Sequence, residues 1–179
     1  MIDRKNYRLI NFIELPDLVT MLGIISALLA IHQSSVGNFI FSFILLMLCI
    51  VFDHFDGKVA HWLGKTNRPF GEAMDSLGDI VSFLVAPALV GYYLGFNHTL
   101  ELILLGLFIL TGISRLARFN SIKELEDKTI GLPVTYNGLL FPLLFFAHEL
   151  FGLDLHLSLA AGFIFSTLMM GSTIPLPNI

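Results

Sequence analysis

Long apolar runs separated by short polar breaks set the pattern of this chain. The runs cover about residues 18–33, 37–63, 70–95, 99–119, 133–151 and 155–171. A hydrocarbon layer about 30 Å thick takes about 20 helical residues to cross. The pattern therefore predicts an all-α integral membrane fold of six transmembrane helices, the first of them short for the task. They form one domain over 1–179, with the six-helix bundle at 18–171. Residues 2–14 mix basic and apolar side chains, which predicts an N-terminal amphipathic helix lying in the membrane interface. Leu15-Pro16-Asp17 breaks the chain before the first run, and Asp17 is placed to cap the helix that follows. Pro87 predicts a kink in the third helix, and S-T-I-P-L-P-N-I a short irregular tail.

The second and third helices depart from this pattern at the ends they share. Asp53 and Asp56 lie near the end of one, Asp75 and Asp79 near the start of the other, with a polar loop at 64–69 between them. Spacings of i,i+3 and i,i+4 keep side chains on one helix face. Asp53, Asp56, Gly57 and Ala60 thus share one stripe, and Gly71, Asp75, Asp79 and Ser82 share another. An ionised Asp at the centre of a membrane helix costs about 2.5–3.5 kcal/mol, and carboxylates packed together also repel. Divalent cations offset both effects, and an all-oxygen donor set suits Mg²⁺, Mn²⁺ or Ca²⁺. Four carboxylates suffice for two ions, the arrangement that clamps attacking and leaving oxygens in displacement at phosphorus. Gly57, Ala60, Gly71 and Gly78 leave room for helices and a phosphate-bearing ligand to approach the backbone. The competing readings are a cation that merely holds helices together, and a proton path.

Composition places the chain among integral membrane proteins: 55% of residues are hydrophobic and 13% charged, with a mean hydropathy of +0.80. Nothing in it points to nucleic acid. The net charge of −4 averages over two sides of a membrane and says little. The placement of the cations says more. Arg4, Lys5 and Arg8, then Lys58, Lys65 and Arg68, then Arg115, Arg118, Lys123 and Lys128 all fall on one side of the six-helix arrangement. The loops on the other side hold none. Cytoplasmic loops carry the Lys and Arg excess, so both termini and the aspartates are expected on the cytoplasmic side of the cell membrane. The start shows no apolar core or cleavage site of a secretory signal. The single Cys49 lies in an apolar run, rules out an internal disulfide and reads as packing. His54, Lys58 and His61 form a polar stripe beside the aspartates, with no third soft ligand for zinc. His32, His98, His148 and His156 fall near the far interface.

The stretch from Asp53 to Asp79 resembles the signature of the CDP-alcohol phosphotransferase family, D-x2-D-G-x2-A-R-x8-G-x3-D-x3-D. Asp53, Asp56, Gly57, Ala60, Gly71, Asp75 and Asp79 match its fixed positions. There are two departures. His61 stands where the signature has Arg, and nine residues rather than eight separate it from Gly71. The resemblance implies a membrane transferase, commonly homodimeric, that uses Mg²⁺ or Mn²⁺, two ions per site. It implies Asp53, Asp56 and Asp75 as metal ligands, with Asp79 sharing that duty. Asp79 is also implied as the general base for an acceptor hydroxyl, with CMP as the leaving group. Asp56, Gly57, Ala60 and Gly71 would frame the CDP-lipid, with His61 at a phosphate position. P-D-L-V-T resembles the family's entry segment, which sets Asp17 and Thr20 as nucleotide contacts against their plain readings as a cap and an intrahelical Thr. Arg68 is either a phosphate contact or a solvated loop cation.

L-P-D-L-V-T-M-L-G, D-S-L-G-D-I-V-S-F-L-V-A-P-A, R-L-A-R-F-N and G-L-P-V each resemble segments of the phosphatidylserine synthase branch. That resemblance implies CDP-diacylglycerol, or CDP-archaeol in the archaeal version, as donor and L-serine as acceptor. Arg115 and Arg118, at the end of the fourth helix, then read as an acceptor or phosphate site in preference to plain positive-inside anchors. The rival readings are the same chemistry with glycerol 3-phosphate or an inositol phosphate, a cation transporter built on the Asp cluster, and a relative inactivated at His61.

Overall fold

The computed structural model describes residues 9–64, 68–122 and 129–176. Their architecture is helical: α1 (Leu15–Ser35), α2 (Phe39–Trp62), α3 (Pro69–Tyr93), α4 (Thr99–Ile122), α5 (Asn137–Phe151) and α6 (Leu155–Gly171). Five stretches are long and apolar enough to cross a membrane, namely α1 to α3, Thr99–Ser121 and Val134–Phe151. The last of these is α5 with a 3₁₀ turn before it. The sixth, α6, is apolar but has only 17 residues.

Two expectations at the chain ends change. Helix α1 begins at Leu15 rather than near 18, because Pro16 suits the first turn, where its missing N–H has no partner to lose. Asp17 is therefore inside the helix and is not its cap residue. Its Oδ2 accepts the N–H of Glu14, the residue before the helix, at 2.7 Å. The tail is not simply irregular. Strand β2 (Pro175–Leu176) pairs antiparallel with β1 (Thr129–Ile130), in the polar break between the fourth and fifth apolar runs. Much of the interfacial helix expected over 2–14 lies outside the described residues. The part described, Leu9–Asn11, is a 3₁₀ turn with Leu9 and Ile10 exposed.

Helices α1 and α2 pack most intimately because α1 presents small residues at helical spacing. Gly23, Ser26, Ala27, Ala30 and Ser34 are all buried, against Ser42, Leu46 and Cys49 of α2. Such stripes let helix backbones approach, and polar atoms then reach across. Ser26 Oγ donates to the Leu45 carbonyl at 2.9 Å, and Ser42 Oγ to that of Ala30 at 2.8 Å. Ahead of Pro87, where a kink is expected, α3 widens into a π turn over Ile80–Val85, in which Ala86 N–H donates to Val81, five residues back. Pro87 itself has no N–H to give. The far half of the bundle is filled by aromatic rings. Phe108, Phe141 and Phe163 meet at centroid distances of 5.6, 5.1 and 4.3 Å, and Phe43 stacks on Phe145 at 4.4 Å. At that end Glu101 of α4 pairs with His156 of α6 at 2.8 Å.

Arg118 ties the other end together. Its Nη2 lies 3.3 Å from the Ile130 carbonyl, 3.4 Å from that of Met170 and 3.1 Å from that of Ser172. It thereby anchors β1 and the end of α6 to α4. Gly131 sits beside it with φ +71°, and a Cβ there would lie 3.0 Å from two of those chain carbonyls, Met170 and Ser172. A left-handed backbone costs an L side chain about 1–2 kcal/mol. Gly131→Ala should therefore lower the melting temperature in detergent by about 2–8 °C. An unchanged melting temperature would mean that this anchor is not part of the stable fold.

Candidate functional site

The four signature aspartates come from the facing ends of α2 and α3, and α1 closes against both. Gly78 on α3 allows this approach: a Cβ there would lie 3.2 Å from Thr20 Cγ2. One carboxylate oxygen each from Asp53, Asp75 and Asp79 falls within 4.8 Å of the others. Asp56 sits beside this trio. It is buried, and its Oδ2 accepts the Thr20 hydroxyl at 2.5 Å. All four aspartates line a pocket of about 10 Å³, together with Thr20, Cys49, Gly78 and Ser82. That is about the room of one water-sized sphere.

Above it opens a cleft of about 290 Å³. Helix α1 lines it with Asp17 and Thr20, and α2 with Asp56, Gly57, Ala60 and His61. Arg68, Gly71, Glu72 and Asp75 complete the wall. Thus every residue expected to frame the nucleotide lies on one cleft that shares Asp56 and Asp75 with the pocket below. His61 is exposed. Arg68 is not a solvated loop cation: its side chain is 14% exposed, pairs with Asp17 through Nη2, and places Nε 3.1 Å from Glu14 Oε2.

The donor set suits a hard divalent ion, being all oxygen and all carboxylate. Oxygens around one octahedral Mg²⁺ at about 2.1 Å are at most about 4.2 Å apart. Cis oxygens on such an ion are about 3.0 Å apart, so a trio within 4.8 Å closes on it with side-chain movements of up to about 2 Å.

Arg115 and Arg118 are three residues apart but have different surroundings. Arg118 is held by backbone carbonyls. Arg115 is 7% exposed, lies 5.5 Å from the Phe119 ring, and its Nε has no hydrogen-bond partner. It is near enough to Asp79 to feel its charge.

Sequence reasoning missed Glu14 and Glu72. Glu72 carried a signal, since Glu72, Asp75 and Asp79 follow i, i+3, i+7 on one face of α3. Glu14 carried none, because its partner is 54 residues away in sequence.

The sequence profile of the CDP-alcohol phosphatidyltransferase family matches residues 13–174. An archaetidylserine synthase of Methanothermobacter thermautotrophicus is 40% identical over 129 residues, covering 71% of this chain and 55% of its own length. A CDP-diacylglycerol–serine O-phosphatidyltransferase of Methanocaldococcus jannaschii is 43% identical over 130 residues, covering 73% and 59%. Its namesake in Saccharomyces cerevisiae is 33% identical over 154 residues, covering 78% and 54%. The chain thus spans a little over half the length of these relatives.

Replacing one ligand of the trio should weaken metal binding by at least the ~10–100-fold typical of losing a supporting group. Mn²⁺ titration followed by electron paramagnetic resonance should show this for Asp75→Asn and Asp53→Asn. Wild-type affinity in both variants would remove the trio as a metal site.

Proposed function

The chain belongs to the CDP-alcohol phosphatidyltransferase family, and from that membership we propose that it moves a phosphatidyl or archaetidyl group from a CDP-lipid to the hydroxyl of L-serine, releasing CMP. One observation carries the reading. Asp53 meets Asp75 and Asp79 at the foot of a cleft wide enough for a nucleotide. Relatives named for serine transfer on diacylglycerol and archaetidyl lipids support the acceptor and leave both backbones as donors.

When bound, a pair of Mg²⁺ or Mn²⁺ ions held by Asp53, Asp56, Asp75 and Asp79 supplies charge neutralisation at the diphosphate. Asp79 takes the proton of the serine hydroxyl as general base. The serine oxygen bonds to the lipid-side phosphorus, the bond from that phosphorus to the CMP oxygen breaks, and CMP leaves with the electron pair. Thr20 fixes the Asp56 carboxylate through its 2.5 Å hydrogen bond. Asp17, Gly57, Ala60, His61, Arg68 and Gly71 bound the nucleotide. Arg115 receives the serine carboxylate. Its unpartnered Nε fits that role, whereas Arg118 is already committed to carbonyls. A single free guanidinium suits a monoanionic carboxylate better than a phosphorylated alcohol, which would draw on more cations.

The proposed setting is six membrane spans, an interfacial N-terminal segment, and both termini and the cleft on the cytoplasmic side. The one-sided distribution of Lys and Arg supports it. A homodimer follows the habit of the family.

Purified protein with CDP-diacylglycerol or CDP-archaeol, divalent metal and L-serine should release CMP. Asp79→Asn should cut kcat by about 10²–10⁴-fold, the usual contribution of a general base. Release that depends on glycerol 3-phosphate or an inositol phosphate instead would move the acceptor. Cation flux into liposomes without CMP release would end the enzyme reading. Gly57 offers a second check. A Cβ there meets no protein atom within 4 Å, and Ala is favoured over Gly in a helix by about 1 kcal/mol. Gly57→Ala should therefore raise KM for the CDP-lipid while leaving the melting temperature unchanged or higher. An unchanged KM would place the nucleotide elsewhere.

A further inference from the structure

The cleft has a charge problem that the aspartates make worse. Asp17, Asp56, Glu72 and Asp75 line it, and Arg68 is the one Lys or Arg among its described lining residues. A nucleoside diphosphate ester is itself an anion. The signature would place an Arg at position 61, but His61 stands there, exposed at the cleft wall. We propose that Arg68 takes over the role of that missing arginine. It grips the diphosphate of the CDP-lipid with the free end of its guanidinium, while Glu14 and Asp17 position it from behind. The inference rests on the CDP-lipid reading given above.

The geometry of the guanidinium carries the argument. It has five N–H donors in a planar fork. Asp17 engages Nη2 and Glu14 lies against Nε, so both carboxylates take the same side edge. Nη1 has no protein partner among the described residues, and one Nη2 proton remains. That is the end edge, which can hold a phosphate through two parallel hydrogen bonds. Burial fixes the fork: the Arg68 side chain is 14% exposed and that of Asp17 only 2%. Gly71 supplies the seat. A Cβ there would lie 2.5 Å from Arg68 Nη2 and 2.7 Å from Cζ, so any side chain would push the guanidinium off the first turn of α3. The two departures from the signature then belong together. The link between His61 and Gly71 is one residue longer, and it ends on a cation that reaches the same cleft.

The test is rescue by a second substitution. CDP binding with Mn²⁺ present and KM for the CDP-lipid are measured for wild type, Arg68→Gln, Arg68→Lys and the double variant His61→Arg/Arg68→Gln. Loss of a charged hydrogen-bonding group should weaken CDP binding and raise KM by about 10–100-fold in Arg68→Gln. Arg68→Lys should recover only part of this, because an ammonium lacks the fork. His61→Arg in the Arg68→Gln background should restore affinity to within about threefold of wild type, since the cation returns to the same cleft. A purely structural Arg68 would lower the melting temperature without such rescue, and that result overturns the proposal. So does wild-type CDP affinity in Arg68→Gln. If Arg68→Gln fails to fold, Arg68→Lys decides the matter, because it keeps the charge facing Asp17 and Glu14. CDP affinity equal to wild type in that variant overturns the proposal. Absence of CMP release by wild type with every acceptor would sink the functional reading, while CDP binding would still report on Arg68.

Discussion

Carboxylates gathered inside an apolar helical bundle are the constraint on which the rest of this structure depends. Each would cost about 2.5–3.5 kcal/mol at the centre of a membrane helix, and here Asp53, Asp75 and Asp79 converge within 4.8 Å. The protein answers locally in three ways. It keeps the carboxylates at the loop end of the α2–α3 hairpin, next to polar chain. It gives Asp56 a hydroxyl donor from α1 and gives Asp17 a guanidinium. It gathers the trio into an all-oxygen donor set, the chemistry that a hard divalent cation takes.

Holding such a cluster steady requires rigidity elsewhere, and the bundle divides that labour along its length. At the far end, phenylalanine rings from α4, α5 and α6 interlock. At the site end, large side chains would fill the space the ligand needs, so small residues and backbone-directed polar contacts replace them. Arg118 ties α4 to β1 and the end of α6 through carbonyls there, as Ser26 and Ser42 tie α1 to α2 farther along the bundle. Contacts to backbone carbonyls cost little volume, so they stiffen the walls without closing the cleft.

This division also explains what the sequence reveals and what it hides. The paired aspartates are legible because helical period alone fixes which residues share a face. Asp53 with Asp56 and Asp75 with Asp79 need no knowledge of tertiary packing. The apolar runs are legible for the same reason, although a 17-residue α6 shows that hydropathy sets a minimum rather than a count. The partners across helices are hidden. Glu14 with Arg68 and Arg118 with Met170 are long-range pairs without periodicity, and the β1–β2 ladder is too short to leave an alternating pattern. The placement of Asp17 inside the helix is hidden for a simpler reason. A proline marks a break and equally marks a helix first turn, and only the backbone tells the two apart.

The two arginines of α4 show how far face-sharing can be trusted. Spacing of i,i+3 places two Cα atoms about 60° apart around a helix, which suggested one anion site for both. Yet a long side chain takes its charge several ångströms from its Cα, and the nearest strong acceptors decide where it ends. For Arg118 those acceptors are carbonyls freed at the end of α6. For Arg115 no carbonyl partner stands among the described residues, the Phe119 ring covers one face, and the charge of Asp79 is the nearby attraction. On the proposed reading a zwitterionic amino acid would lie between such groups, its carboxylate toward the guanidinium and its ammonium toward the aspartates. A phosphorylated alcohol would bring two negative charges and nothing for the aspartates to hold. On the proposed reading, then, the acceptor is selected by how few uncommitted cations stand beside Asp79 among the described residues, and Arg118 contributes to that selection by being unavailable.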